Sequence, residues 1–348
     1  MLPSVTVVIP TYNGSRFVSD ALASVQAQTH LPKEILVVDD SSTDNTADIA
    51  SGIACRSAVP IRVVRLSRNS GAPPRPLNVG VELCRTPLVS FLDQDDLMHA
   101  QKLEFLSKAM LDFPDAGLAF GQAQNMSAEG KVKQGPGDNY ECYPLERALV
   151  SADRAFDLLV SNGYKYGGAG GIMLRKEVWS NVGKFDPCQP VSWDYDFALR
   201  MTLSGFPVAY CPVTVFYHRW RSGSLSGSHQ GLRVITGWIR AKLRCFKHPK
   251  LSPEARAALV SSLQREGRDF GYWDRIMGDY STAISNNLTA AVHLPHKTSS
   301  LICAAKTCLV FLADLFCDQL LPSYRRPWRP EMKRRVDWDQ LRVDCEPN

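Results

Sequence analysis

The chain has 348 residues, 45% of them hydrophobic, enough to bury one large core or two modest ones. Its formal charge is +5, and residues 324–335 carry an excess of that size by themselves (Arg325, Arg326, Arg329, Lys333, Arg334 and Arg335 against Glu331), so a diffuse nucleic-acid-binding surface is excluded. Ten cysteines without a CxxC pair or zinc-ligand spacing predict free thiols, and "MLPSVTVVIPTYN" lacks the basic n-region of a signal peptide, so the expected location is a reducing cytoplasm.

In the first hundred residues the apolar runs "VTVVI" (5–9), "EILVVDD" (34–40), "IRVVRL" (61–66) and "PLVSFLD" (87–93) predict buried strands. Helical patterns lie between them: one from about Ser15 through Phe17, Leu22 and Val25, one after "SSTDNT" toward Ile49, and one carrying Leu77, Val81 and Cys84. A helix "AQKLEFLSKAM" follows near His99, then a strand at "GLAFGQAQN", a loop at 135–138, and a helix from about Ser151. "GYKYGGAGGIMLRKEVW" places four glycines within five positions, where side chains would obstruct a ligand or another backbone, or where a loop must flex. "SWDYDFALRMTLSGF" predicts a helix through Phe197, Leu199, Met201 and Leu203, with Asp194 and Asp196 in its first turn. From residue 230 onward the text reads as helices, "GLRVITGWIRAKLRCF" and "SPEARAALVSSLQ", the second opening on a Ser252-Pro253 cap. The stretch 301–321 is strongly apolar but is interrupted by Lys306, Asp314 and Asp318, which argues against a membrane span.

Strand, helix, strand repeated makes a parallel sheet, and such sheets bind ligands beyond the carboxyl ends of their strands. Polar residues concentrate at those ends: "PTYN", "DDSSTD", "RNSGAP" and "DQDD". The last places Asp93, Asp95 and Asp96 within four positions, where like charges repel. A dinucleotide-binding fold would need a glycine-rich turn after the first strand, where Pro10 and Tyr12 stand instead. A receiver-like signalling domain would place its acidic pair on the first strand and close in one small domain.

The ordered set "VTVVIPTYNGSRFVSDALASVQAQT", "EILVVDDSSTDNT", "NSGAPPRPLNVG" and "FLDQDD" resembles the family 2 glycosyltransferases, over roughly residues 4–226. The resemblance implies an α/β GT-A fold, a Rossmann-like, mostly parallel sheet flanked by helices. It also implies an inverting enzyme that uses a nucleotide-diphosphate sugar and a divalent cation, Mn2+ or Mg2+. On this reading Pro10 and Tyr12 belong to the donor site, with Tyr12 stacking on the base. Asp40 matches the family's base-reading carboxylate, and Asp39 is free to cap the turn. Ser42, Thr43 and Asp44 supply N-cap residues for the next helix. Asp93 serves the ribose, while Asp95 and Asp96 hold the cation that bridges to the pyrophosphate, so crowded acids become mutually tolerable; one of them capping the next helix is the plainer alternative.

An arginine commonly precedes the family's Asn-x-Gly; here Arg75 stands two residues early, as a phosphate contact or as a surface residue. Gly170 and Gly171 fall where the family places sugar and acceptor. Asp194 aligns with the catalytic base, Trp193 replaces the usual neighbouring Glu as an apolar wall or an acceptor determinant, and Asp196 is a cap or an acceptor-positioning acid. In "YHRWRSGSLS" Arg221 stands where the family often has a histidine, with His218 shifted; Arg221 replaces it as a permanent cation on the phosphates, or the loop is structural.

The expected organisation is a GT-A-like domain over 1–226, with a donor-binding half of about 1–113 and an acceptor half of about 114–226, then a mainly helical C-terminal extension over 227–348. The expected partners are a UDP- or dTDP-type donor, a glycan or glycolipid acceptor of cell-surface polysaccharide or glycolipid synthesis, and a second copy of the chain. The arginines around Trp328 suit anionic lipid at the inner face of the membrane, or a solvated tail. A degenerate transferase fold that only binds nucleotide sugar is the competing reading, opposed by the intact "DQDD" and Asp194.

Overall fold

The computed structural model describes residues 1–132, 143–221 and 231–263. The chain divides into two compact units, 1–255 and 256–348, of which the first holds the sheet. Each of the four apolar runs forms a strand: β1 (Val5–Thr11), β2 (Glu34–Asp39), β3 (Ile61–Arg65) and β4 (Leu88–Phe91). Between them lie α1 (Val18–Gln26), α2 (Thr46–Ala54) and α3 (Pro74–Leu83). The chain continues through β5 (Leu97–Met98), α4 (Lys102–Asp112), β6 (Leu118–Met126), β7 (Ala148–Val150), α5 (Ala152–Asn162) and a 3-10 turn at Ala169–Gly171. Then come β8 (Ile172–Arg175), α6 (Lys176–Val182), α7 (Trp193–Leu203), β9 (Val208–Arg219) and α8 (Gly231–Cys245).

One nine-stranded sheet runs in the order β3-β2-β1-β4-β8-β6-β9-β5, with β7 also on β9. The first four strands are parallel. β1, β2 and β4 read as apolar runs because both faces are covered, while β3 at the sheet edge is half-buried and carries Arg62 and Arg65. Val5, Val7 and Ile9 of β1 join the core with Val18, Ala21, Leu22 and Val25 of α1 and the apolar face of α4. Val8 points the other way, against α3, which comes so close that a Cβ on Gly80 would collide with the valine.

Of the strands beyond β4, only β6 has a counterpart in the sequence reading. β9 carries Pro212 and several polar residues. Its ladder to β6 slips between Phe120 and Gln122, opposite Pro212, so the residue that cannot donate sits in the irregularity. α8, assigned from sequence to the C-terminal region, belongs to the first unit. Gln189 Nε2 donates to Gly237 O at 2.7 Å and Ser192 Oγ to Val234 O at 3.0 Å, which fastens α8 to the start of α7. Residues 253–263 are helical, and Ser252 Oγ accepts from Ala255 N as the Ser-Pro cap predicts. Cys55, Cys84, Cys211 and Cys245 are free thiols, whereas Cys188 is disulfide-bonded, against the expectation of free thiols throughout. The loop at 135–138, the "SLS"-like text from 222 onward, the apolar stretch 301–321 and the basic tail lie outside the described residues.

Candidate active site

At the carboxyl end of β1, Pro10 is buried and faces β4, which ends opposite Val8, so the missing N–H costs no ladder bond. Tyr12 follows, 45% exposed, with its ring open to a stacking partner. Its peptide is clamped by Gln94: Tyr12 N donates to Gln94 Oε1 and Gln94 Nε2 donates to Tyr12 O, each at 2.9 Å. The second letter of "DQDD" therefore continues the β1–β4 pairing after β4 has ended.

At the end of β2, Asp39 is fully buried and accepts from Ser42 N and Ser42 Oγ, with Arg65 Nε at 3.4 Å. It holds the turn, as its capping alternative required. Asp40, 4% exposed, accepts from Ser70 N and Ser70 Oγ at 2.7–3.1 Å. A carboxylate has lone pairs for a further donor. Asp44 Oδ1 accepts from Thr46 N, the first residue of α2, at 3.0 Å, as its capping role required, whereas the N-cap position itself is Asn45 with no side-chain bond, and Ser42 and Thr43 do not cap the helix. All three tie the β2 turn to the β1 turn: Asn13 N donates to Ser42 Oγ, Thr43 N to Asn13 Oδ1, and Ser15 N to Asp44 Oδ2. Arg75, in the first turn of α3, has no ion pair or hydrogen bond among the described residues.

Beyond β4 the acids of "DQDD" cap nothing, since the N-cap of α4 is Gln101. They meet the end of β9. Asp95 Oδ2 accepts from Arg221 Nε at 2.6 Å and Asp95 O from Arg219 Nε at 2.7 Å. Asp96, 2% exposed, takes Arg219 N at 2.9 Å on one oxygen and His218 Nδ1 at 3.3 Å on the other. Phe17 anchors the two arginines, whose guanidinium carbons stand 5.2 and 5.5 Å from its ring centroid. Burial and then the charges of Asp96 and Asp95 push the Asp93 carboxyl up to about 8. Burial would lower the His218 pKa, but the bond to Asp96 and the nearby acids carry it up to about 9.

Among the described residues no three His, Cys, Asp or Glu side chains converge as a protein-only metal cage would. Magnesium and manganese need no cage; one or two carboxylates plus phosphate oxygens suffice. The Asp93 carboxyl group and the Oδ1 atom of Asp95 have no hydrogen-bond partner among the described residues, and such hard oxygens fit either ion. Asp96 is engaged on both oxygens and so serves first to fix β9 to the loop.

α7 is brought to this place by a clamp from α3. Asn78 Nδ2 donates to Phe185 O at 2.7 Å, and Phe185 N donates to Asn78 Oδ1 at 3.0 Å. Phe185 in turn packs edge-on against Phe91 of β4. The first turn of α7 carries Asp194, whose Oδ1 accepts from Tyr195 N at 2.9 Å. Burial raises its carboxyl pKa to about 6, and its charge in turn acts on Asp93. A Cβ on Gly168 would lie 3.8 Å from Asp194 Oδ2, so bare backbone faces the carboxylate.

Other expected pocket residues have packing roles. Trp193, 6% exposed, lies against Phe185 at 4.7 Å between centroids and forms no open wall. Asp196, 1% exposed, pairs with Arg200 at 2.9 Å and Arg244 at 3.4 Å, which makes it a buried anchor rather than an acceptor contact. Gly170 is bare because a Cβ there would stand 2.6–3.1 Å from the Phe216 ring, and on Gly171 it would strike Tyr166 O. Gly171→Ala is therefore expected to destabilise by about 1–3 kcal/mol or more, measurable by urea titration, because the obstructing atom is backbone; an unchanged midpoint would show that the turn can yield. Sequence reading missed Gln94, Asn78 and Arg219, isolated polar residues whose partners are backbone groups distant in the chain.

Residues 6–156 match the model of glycosyl transferase family 2. An uncharacterized glycosyltransferase of Haemophilus influenzae is 27% identical over 197 residues, covering 56% of this chain and 61% of the relative. The chain thus spans less than two thirds of that relative. Poly(ribitol-phosphate) beta-N-acetylglucosaminyltransferase TarS of Staphylococcus aureus is 35% identical over 102 residues, 28% of this chain and 17% of TarS. A crystal structure of S. aureus TarS 1-349 in complex with UDP-GlcNAc superposes with a TM-score of 0.66 at 17% identity, covering 91% of each chain. That likeness is one of fold. Residues 6–156 thus resemble glycosyl transferase family 2, and the sheet and flanking helices have the GT-A fold.

Proposed function

We propose that the protein transfers a sugar from a nucleotide-diphosphate donor, of UDP or dTDP type, to a hydroxyl acceptor with inversion at the anomeric carbon. The observation that carries this reading is the packing that brings the start of α7 to the end of β4: Phe185 lies between Phe91, two residues before Asp93, and Trp193, which precedes Asp194. Two acid groups with separate environments at one strand edge suit a donor site beside a base. The UDP-GlcNAc held by the TarS fragment supports a uridine donor.

In this mechanism Tyr12 stacks on the base, Asp40 accepts from its edge, and Asp93 meets the ribose. Arg75 and Arg221 would meet phosphate oxygens, Arg221 after exchanging its bond to Asp95. Asp95 and Asp96, with Asp93 beside them, would hold Mg2+ or Mn2+, which when bound offsets the charge growing on the leaving diphosphate. Asp194 takes the proton of the acceptor hydroxyl as it attacks opposite the diphosphate. The acceptor is a glycan or glycolipid, residues 1–226 carry donor and catalytic sites, and 227–348 supply acceptor, membrane or subunit contacts at the cytoplasmic face. Among the described residues no helix is long and apolar enough to cross a membrane.

Thermal denaturation with UDP and Mn2+ tests the donor site. A ligand at a hundredfold its Kd adds about 2.7 kcal/mol, which raises Tm by roughly 5–10 °C for a unit of this size. Asp95→Ala should lose the metal-dependent part of the rise. Equal stabilisation of the variant would remove Asp95 from the site, and no rise with UDP or dTDP would sink the donor reading.

A further inference from the structure

Lys102 opens α4 on its buried face, beside Leu103 and Leu106, and has no exposed surface. Lysine is almost never fully buried without partners. Its Nζ donates to Phe91 O at 2.8 Å and to Gly170 O at 2.6 Å. Phe91 ends β4, two residues before Asp93. Gly170 belongs to the turn that begins at Gly168, the residue facing Asp194. One ammonium thus joins the backbone that leads into the donor acids to the backbone that borders the base.

A buried ammonium costs several kcal/mol, and carbonyls alone would be served by a neutral donor. What sets this place apart is the acid cluster. Burial lowers the Lys102 pKa to about 7, while the charges of Asp93 and Asp96 oppose that fall. We infer that Lys102 is a positioning residue, which rests on the transferase reading above: its two bonds fix the spacing between the donor-binding acids and Asp194, so that donor and base meet in register. It touches neither substrate nor reacting atoms.

The test uses the full chain with Lys102→Met and Lys102→Arg, reading UDP affinity by calorimetry and donor hydrolysis as kcat and KM. A misplacement of about 1 Å at a reacting centre can cost about a hundredfold in rate. Lys102→Met should therefore lower kcat by about that factor while KM and UDP affinity move by less than about threefold. Lys102→Arg, which keeps the charge and offers donors to both carbonyls, should recover part of kcat. Should Lys102→Met not fold, Lys102→Gln takes its place with the same expected split. Wild-type kcat in the neutral variant overturns the inference, as does a parallel loss of kcat and UDP affinity without recovery in Lys102→Arg, the mark of a purely structural lysine. A wild-type protein that binds UDP but hydrolyses none of its sugars overturns the transferase reading itself, and the inference with it.

Discussion

Asp194→Asn is expected to lower sugar transfer by about 10²–10⁴-fold, the range of general base catalysis, while UDP binds as before. Asparagine keeps the size of the side chain and an oxygen for Tyr195 N, but cannot take a proton from the acceptor. Burial raises the Asp194 carboxyl to about 6, and only its ionised form is a base. The wild-type kcat/KM should accordingly fall about tenfold per pH unit below that value, an acid limb that the variant lacks. The sign for stability is the reverse. A carboxyl whose folded pKa is raised favours the folded state below its ordinary value, 3.8 here, and that contribution is lost as pH rises through about 6. At neutral pH Asp194→Asn should therefore melt no lower than wild type. Wild-type transfer by the variant would move the base elsewhere.

A large loss of stability is expected at Asp196, on the same helical turn. Removing one partner of a buried ion pair costs about 3–5 kcal/mol. Here the arginines are 22% and 45% exposed and can rehydrate, so about 2–3 kcal/mol is expected for Asp196→Ala. That corresponds to a fall in Tm of about 4–12 °C. Arg200 also holds the carbonyls of Val182, Gly183 and Lys184, so the segment leading into α7 loosens with it. UDP affinity of the folded fraction should stay unchanged. An unaltered melting curve would show that Arg200 and Arg244 manage without the carboxylate.

Burial decides which parts were legible in the sequence. β1, β2 and β4 are covered on both faces, so each reads as an apolar run, and the acids at the ends of β2 and β4 stand out against it, whereas the edge strand β3 carries Arg62 and Arg65. The helical period placed Asp194 and Asp196 alike in a first turn, and only the alignment with the family's base singled out Asp194. β8 is only four residues long, and β9 hides behind Pro212 and a slipped register, so neither shows a clean period. The glycines of 167–171 gave a true signal of close approach, but a sequence cannot say whether the approaching group is a ligand, a Phe216 ring or a Tyr166 carbonyl. Lys102 was equally opaque, since a lysine in a helix reads as solvated unless its carbonyl partners, distant in the chain, are known.

The clamp of Gln94 on Tyr12 limits which letters the motif can tolerate. Its side chain presents one donor and one acceptor in the geometry of a peptide group. Glutamate would set a second acceptor against Tyr12 O and add a negative charge to the cluster, leucine would leave both backbone groups unanswered, and asparagine is one methylene short. Gly14 shares the restriction, because a Cβ there would run into the same amide. Two positions that look like a spacer and a loop glycine thus form one unit, and a substitution at either would tilt the aromatic platform before any acid is touched.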